Sequence, residues 1–355
     1  MKVKDCWGYM KNSTQNNLLL VSIIVPCRNE EKYIGECLDS IIENDFAKDK
    51  LEVLVLEGMS EDGSRQVVEK YAGKYPFIKL LENPKKITPC ALNIGVKHAK
   101  GDVIMRMDAH ASYEKNYISK CLKYLKKYGA DNVGGVMITL PRNSTFIGKA
   151  IVAAVSHPFG VGGSVFRTGS KKPMWVDTVF GGCYRKEVFE KIGLFNENLI
   201  SSQDMEFNLR LKKAGGKILL VPDIVAYYYA RSDFRSFCKN DFRNGLWVVY
   251  PFKFTDHMPV SWRHLVPLTF VSSLICSAVL SLFFPLFWWL FFSIIGLYSL
   301  TNFYFSCKIA IREKDFKWFF IMPIIFATLH ISYGLGSIFG VIKLLLPARR
   351  ISTNA

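Results

Sequence analysis

Gly101-Asp102-Val103-Ile104-Met105-Arg106-Met107-Asp108-Ala109-His110 is the stretch from which the rest of the chain can be read. Val103 to Met107 is an apolar run interrupted only by Arg106, short enough for a buried strand, and two good cation ligands follow it. Open α/β sheets keep their ligands at the carboxyl ends of their strands. Asp108 and His110 are two residues apart, so on an extended backbone both side chains leave on the same face and can meet one cation. Taken alone, the pair also reads as ordinary polar loop residues, which is the commoner case. The company it keeps decides between the two.

Upstream, Leu18 to Val25 is a β-rich apolar run that ends in Pro26-Cys27-Arg28-Asn29-Glu30-Glu31 and passes into a helical pattern through Ile34, Leu38, Ile41 and Ile42. Leu51 to Leu56 repeats the theme, with the turn Glu57-Gly58-Met59-Ser60-Glu61-Asp62-Gly63-Ser64 before a helix from Arg65 to Tyr75. Ile78 to Leu81 predicts a third strand, Ala91 to Ala99 a third helix and Val103 to Met107 a fourth strand. Nearly continuous apolar strands alternating with amphipathic helices mean an α/β fold, a doubly wound and mostly parallel sheet covered on both faces.

Downstream, residues 134–179 are rich in glycine and carry Pro141, Pro158 and Pro173, so loops and short strands are expected there. Gly160-Val161-Gly162-Gly163-Ser164 lacks the Lys-Ser/Thr ending of a phosphate loop and reads as a flexible loop. Gly181 and Gly182 stand before a helix over Lys186 to Ile192, where they allow close backbone approach to a ligand. Ser201-Ser202-Gln203-Asp204-Met205-Glu206 leads into a helix predicted from Phe207 to Ala214. N-capping alone would account for Asp204 at that position.

From Leu265 to Cys307 there is no Asp, Glu, Lys or Arg for 43 residues, about twice the roughly 20 that cross a bilayer. Two crossings that turn near Pro285 are expected. A further uncharged stretch of 25 residues from Trp318 to Ile342 is long enough for a third. The net charge of +16 invites a nucleic-acid reading. Yet Lys239, Arg243, Lys253, Arg263 and the cluster Lys308, Arg312, Lys314 and Lys317 border apolar spans, where basic residues mark the cytoplasmic side. No nucleic-acid partner is expected; membrane lipids are. A simple third crossing would leave Lys343, Arg349 and Arg350 outside, against that rule, unless Gly334, Gly336 and Gly340 break the last segment. Nine scattered cysteines without a CxxC pair fit neither a zinc site nor a disulfide frame, and the polar stretch from Met1 to Asn17 does not read as a signal peptide.

In order, Val21-Ser22-Ile23-Ile24-Val25-Pro26-Cys27-Arg28-Asn29-Glu30, the Glu57 to Ser64 turn, Asp108-Ala109-His110, Phe180-Gly181-Gly182, Gly193-Leu194-Phe195-Asn196-Glu197 and Gln203-Asp204-Met205-Glu206 resemble glycosyltransferase family 2 with its GT-A fold. The Asp-Ala-His variant and the C-terminal spans look most like the membrane-bound enzymes of succinoglycan-type exopolysaccharide assembly. The resemblance implies that Pro26, Arg28, Glu30 and Glu57 line a nucleotide pocket, with Glu57 in place of the family's usual Asp. It implies that Asp108 and His110 match an Asp-x-Asp that holds a divalent cation, Mn²⁺ or Mg²⁺, on the donor diphosphate, with His tilting the choice towards Mn²⁺. It makes Asp204 the catalytic base of an inverting transfer.

Arg106 reads equally as an anchor for the donor, a balance to Glu57 or one half of a plain ion pair. Arg243 and Trp247 loosely resemble the Gln-x-x-Arg-Trp motif of related synthases, and read more simply as anchors of an interfacial helix. The expected organisation is a leader over 1–17, a GT-A domain over 18–232, an interfacial linker over 233–264, a membrane domain over 265–346 with spans near 265–284, 286–307 and 318–342, and a basic tail over 347–355. The expected activity moves a sugar from a UDP-linked nucleotide-sugar donor to a polyprenyl-linked saccharide at the inner membrane, alongside glycan-assembly partners. A polyprenyl-phosphate sugar synthase and a non-catalytic nucleotide-sugar binder or scaffold are the alternatives.

Overall fold

The computed structural model describes residues 19–255 and 261–346, so the expected leader, the basic tail and part of the linker lie outside the described residues. The chain begins with β1 (Val21–Cys27), α1 (Ile34–Ile42), β2 (Leu51–Glu57), α2 (Ser64–Lys74), β3 (Ile78–Glu82), α3 (Thr88–His98) and β4 (Val103–Arg106). It continues through β5 (Ala111–Tyr113), α4 (Tyr117–Tyr128), β6 (Asn132–Pro141), α5 (Phe146–Val155), two single turns α6 (Pro158–Val161) and α7 (Val165–Thr168), β7 (Met174–Trp175) and β8 (Cys183–Arg185). Then come α8 (Lys186–Ile192), α9 (Gln203–Lys213), β9 (Ile218–Ala230), α10 (Phe234–Val249) and the apolar helices α11 (Val266–Ser281), α12 (Phe287–Glu313) and α13 (Lys317–Leu345).

The strands form one sheet in the order β3-β2-β1-β4-β8-β6-β9-β5, with β7 paired to β9. β3, β2, β1 and β4 run parallel, as their unbroken apolar character requires, and β6 pairs parallel with β9. Short β8 and β5 run antiparallel to their neighbours, so the second half of the sheet is mixed. Alternate residues of β1 and β2 serve two cores. Val21, Ile23, Val53 and Val55 pack with Ile34, Leu38 and Ile41 of α1, whereas Ile24, Leu54 and Leu56 pack with Leu92 and Val96 of α3. At roughly 25 cal/mol per Å² of buried apolar surface, these two layers supply the main drive for folding.

Residues 134–179 depart from the expected loops. β6 runs ten residues, and Phe146-Ile147-Gly148-Lys149-Ala150-Ile151-Val152-Ala153-Ala154-Val155 is a helix capped by Thr145, whose Oγ1 accepts from Gly148 N. Glycine content masked a helical apolar pattern whose buried face, Ala150, Ile151 and Ala154, meets Met322, Ile325 and Phe326 of α13. Gly334, Gly336 and Gly340, the candidate break points, do not interrupt the last segment, and α13 is continuous. These glycines give close approach instead. A Cβ at Gly336 would lie 2.0 Å from the Phe242 carbonyl oxygen of α10, and one at Gly334 would lie 2.5 Å from the Pro267 carbonyl oxygen of α11. Three helices, Trp262–Ser281, Phe287–Glu313 and Lys317–Leu345, are long and apolar enough to cross a membrane.

Candidate active site

The parallel half of the sheet delivers its turns to one edge, around a cavity of about 160 Å³. Pro26, Arg28 and Glu30 from the end of β1 and the turn after it, Gly58 after β2, and Arg106, Asp108 and His110 from β4 and the turn beyond it line this space. Asn83, Lys86 and Thr88, between β3 and α3, complete it. Sequence reading missed these last three because it started α3 at Ala91. The signal was Thr88-Pro89, a proline in the first turn of a helix. Backbone conformation marks the same edge: of the five non-glycine residues with positive φ among those described, Asn29, Met59 and Lys86 sit in these turns and Ser202 precedes Asp204. Such conformations persist only where the surroundings fix them.

Arg106 organises the centre. Its Nε and Nη2 lie 3.1 and 3.0 Å from Asp108 Oδ1, and its Nη1 lies 3.9 Å from Asp204 Oδ2. Burial works against the guanidinium charge, and the Asp108 and Asp204 carboxylates outweigh it. A balance between Arg106 and Glu57 is therefore not what the structure shows. Glu57 is fully buried and accepts from the Met59 and Ser60 backbone N–H groups at 3.1 and 2.7 Å, with Arg65 at 3.7 Å as its cation. Its carboxylate holds the turn and is not part of the cavity lining.

His110 Nδ1 lies 2.9 Å from Glu30 Oε1, yet the carboxylate is off the line of the ring N–H, so this buried nitrogen has no well-formed hydrogen bond. Burial lowers the imidazole pKa, but the neighbouring Tyr228, Glu30 and Asp108 outweigh it and lift it to about 9. The Tyr228 ring, from β9, stands 5.0 Å from that of His110. Among the described residues no three carboxylate, imidazole or thiol groups converge. A cation here would take Asp108 and, once its proton is lost, His110, and fill the rest of its shell from donor phosphates.

Asp204 lies in the first turn of α9, which starts at Gln203 and not at Phe207. Ser202, in a left-handed conformation with φ 64°, turns the chain into the helix, where the Asp204 side chain is 38% exposed beside Arg106. Arg210 locks α9 in place by pairing with buried Glu206 at 2.6 Å and donating to the Leu194 carbonyl at 2.8 Å. The motif over 193–197 braces α3: Asn93 exchanges two 2.9 Å hydrogen bonds with Phe195. Hydrogen bonds from Lys85, Asn93 and Cys90 pull the Glu197 carboxyl down to about 2.

Gly181 and Gly182 cover the end of β4, where Gly182 O accepts from Arg106 N at 3.0 Å and a Cβ on Gly181 would stand 2.7 Å from Arg106 O. Trp247 is buried in α10, and its carbonyl accepts from Ser202 Oγ at 3.0 Å, linking that helix to the turn before Asp204. Arg243 is on the exposed face of α10, beside Arg231.

The family model for glycosyl transferase family 2 matches residues 22–193. A dolichyl N-acetyl-alpha-D-glucosaminyl phosphate 3-beta-D-2,3-diacetamido-2,3-dideoxy-beta-D-glucuronosyltransferase of Methanococcus voltae is 34% identical over 234 residues, 63% of this chain and 71% of that protein. The chain belongs to glycosyltransferase family 2. A second relative of this glycosyltransferase is the succinoglycan biosynthesis protein ExoA of Rhizobium meliloti, 32% identical over 59% of this chain and 63% of its own length. The mannosyltransferase PcManGT from Pyrobaculum calidifontis, solved with GDP-Man and Mn²⁺, shares the GT-A fold. It superposes with a TM-score of 0.60 over 91% of this chain and 88% of its own, at 19% identity.

Proposed function

We propose that this glycosyltransferase transfers a sugar, with inversion, from a nucleotide-sugar donor to a saccharide carried on a polyprenyl phosphate or diphosphate at the cytoplasmic face of a membrane. The observation that carries the reading is the Arg106 guanidinium, which sets the cavity's Asp108 and the exposed Asp204 on either side of one cation. The donor's diphosphate and the acceptor's hydroxyl are thereby brought within one site. The nucleotide takes the cavity between the β1 and β3 turns, with Asn83, Lys86 and Arg28 at its wall. Bound at Asp108 and His110, a divalent cation such as Mn²⁺ or Mg²⁺ would neutralise charge on the leaving diphosphate.

The acceptor hydroxyl attacks the anomeric carbon as the bond to the phosphate oxygen breaks, and its proton passes to Asp204 Oδ2. Arg106 orients that carboxylate. Attack from the side opposite the leaving group gives a β-linkage from an α-linked donor.

A lipid-borne acceptor is supported by three helices long and apolar enough to cross a membrane, and by Arg167, Arg231 and Arg243, which make no ion pair among the described residues. Arg167 stands 6.0 Å from the Tyr228 ring, next to His110. The Methanococcus voltae relative is named for a dolichyl-phosphate-linked substrate and the Rhizobium meliloti one for succinoglycan biosynthesis, and both names agree with this acceptor class. The test is Asp204→Asn in purified detergent-solubilised protein supplied with donor, Mn²⁺ and lipid-linked acceptor. Transfer is expected to fall by roughly 10²–10⁴-fold with UDP binding kept. Undiminished transfer would exclude Asp204, and label entering only polyprenyl phosphate would replace the saccharide acceptor with the carrier itself.

A further inference from the structure

We infer that α13 does not cross the bilayer but lies along its surface between the catalytic domain and the lipid, so that the chain enters the membrane only through the α11–α12 hairpin and its C-terminal end stays on the catalytic side. The registration of α13 on α10 carries this inference. Cys238 Sγ is 3.1 Å from Ser332 Oγ, Ser337 Oγ donates to Gly245 O at 3.1 Å, and Lys253 Nζ donates to Leu346 O at 2.8 Å. The partners are 94, 92 and 93 residues apart, so α10 and the 3-10 turn Tyr250–Lys253 that continues it run parallel to α13 in near-constant register to its end. Gly245, Gly336 and Gly340 let the backbones meet, since a Cβ at each would stand 1.9, 2.0 and 3.0 Å from a carbonyl oxygen of the other helix.

α10 carries Arg235, Lys239, Asp241 and Arg243, and charges of this kind are costly at a bilayer centre. A helix strapped along it cannot run through the hydrocarbon while α10 stays at the surface. The other half of α13 is also docked. Trp318 packs on Phe146 of α5 at 5.4 Å, and His330 Nε2 meets the Phe159 carbonyl at 2.9 Å. Both ends of a helix of 29 residues, about 43 Å at 1.5 Å per residue, thus rest on one folded domain. A crossing would put β6, which leads into α5, and β9, which leads into α10, on opposite sides of a bilayer about 30 Å thick, although they are neighbours in one sheet.

The remaining surface of α13 fits the lipid. Phe320, Ile324, Ile331, Leu335, Ile342 and Leu345 are exposed along its length, opposite the buried Met322, Phe326 and Leu329. Charge agrees. In this arrangement Lys343 lies on the same side as the cluster Lys308 to Lys317, where basic residues flanking spans belong.

Two measurements on the full-length protein in bacterial membranes test the inference, and neither depends on which sugar or acceptor is used. Green fluorescent protein fused after Ala355 is expected to fluoresce and alkaline phosphatase fused there to be inactive. An active phosphatase with dark fluorescent protein would overturn the topology. Ser332→Cys, oxidised in membranes, is expected to give a disulfide with Cys238 identified by peptide mass. Its absence would overturn the parallel registration of α13 on α10.

Discussion

Arg106 is the residue through which the candidate clamp and the candidate base communicate, and its planar fork matters as much as its charge. Lysine at this position keeps the charge but cannot hold Asp108 through two nitrogens while a third faces Asp204. Arg106→Lys is therefore expected to fold normally and to lose at least about tenfold in kcat, about 1.4 kcal/mol of transition-state stabilisation. Wild-type turnover in a steady-state assay would reject that role. Asp241 gives a second prediction. Burial pushes its carboxyl from 3.8 up to about 7, against the field of Arg167 and a hydrogen bond from Asn244, and its Oδ2 is buried without a partner. An acid with a higher pKa folded than unfolded holds more protons in the fold, so its contribution to stability falls as pH rises from about 4 through 7. Asp241→Asn should raise the Tm, and the gain over wild type should grow between about pH 4 and pH 7 and level off above; a constant difference would place the ionised group in a solvated setting. At this scale the position of Asp108 and His110 just past β4 was legible because they follow an apolar run at a fixed offset, whereas Asp204 was singled out by the family resemblance and read from its residues alone only as a helix cap. The partner of Arg106 was not legible, because strand alternation names the face a side chain leaves on and not the residue from a distant helix that meets it. Glu57 was placed in the nucleotide pocket from the resemblance, whereas its longer side chain folds back onto its own turn.

Elements were legible where period and punctuation agreed, as in β1, β2 and α8, and obscure where glycine carried two meanings. A glycine can end an element or permit a close contact, and sequence alone does not distinguish them. In α13 it permits contact, and substitution there has a predictable cost. Gly336→Leu would drive a side chain into the Phe242 carbonyl of α10, and overpacking of this kind typically costs about 1–3 kcal/mol. Gly296, in α12, has nothing within 4 Å of its would-be Cβ. Gly336→Leu should therefore lower the Tm in detergent by several degrees and Gly296→Ala should leave it unchanged or raise it, as alanine favours the helix. Equal effects would mean that α10 and α13 are not in backbone contact. The same contact reaches the chemistry, because α10 also accepts from Ser202 through Trp247 and packs Val248 and Val249 beside Met205, next to Asp204. A loosened α10 should thus reduce turnover more than donor affinity.

At the scale of the whole molecule, two kinds of surface are joined edge to edge. The α/β half hides its apolar residues in two cores, whereas the α11–α12 hairpin displays them: Leu282, Phe283, Leu286 and Trp289 at its tip are 71–77% exposed. Apolar surface of this extent is not tolerated in water and marks a site of contact with another phase. Basic residues contribute a second attraction, since each Lys or Arg near an anionic surface adds about 1 kcal/mol, but that term is screened by salt while burial of the hairpin is not. The two contributions separate experimentally. Washing membranes with about 1 M salt, where charges are screened beyond roughly 3 Å, should release none of the protein, and alkaline carbonate should likewise leave it in the pellet. Replacing Leu297 and Leu300, exposed midway along α12, by Asp should release a measurable share into the carbonate supernatant, since a carboxylate costs about 2.5–3.5 kcal/mol at the centre of a spanning helix. Full retention of that variant would place this face of α12 away from the hydrocarbon; release of the wild type by salt alone would reduce the whole C-terminal region to a peripheral anchor.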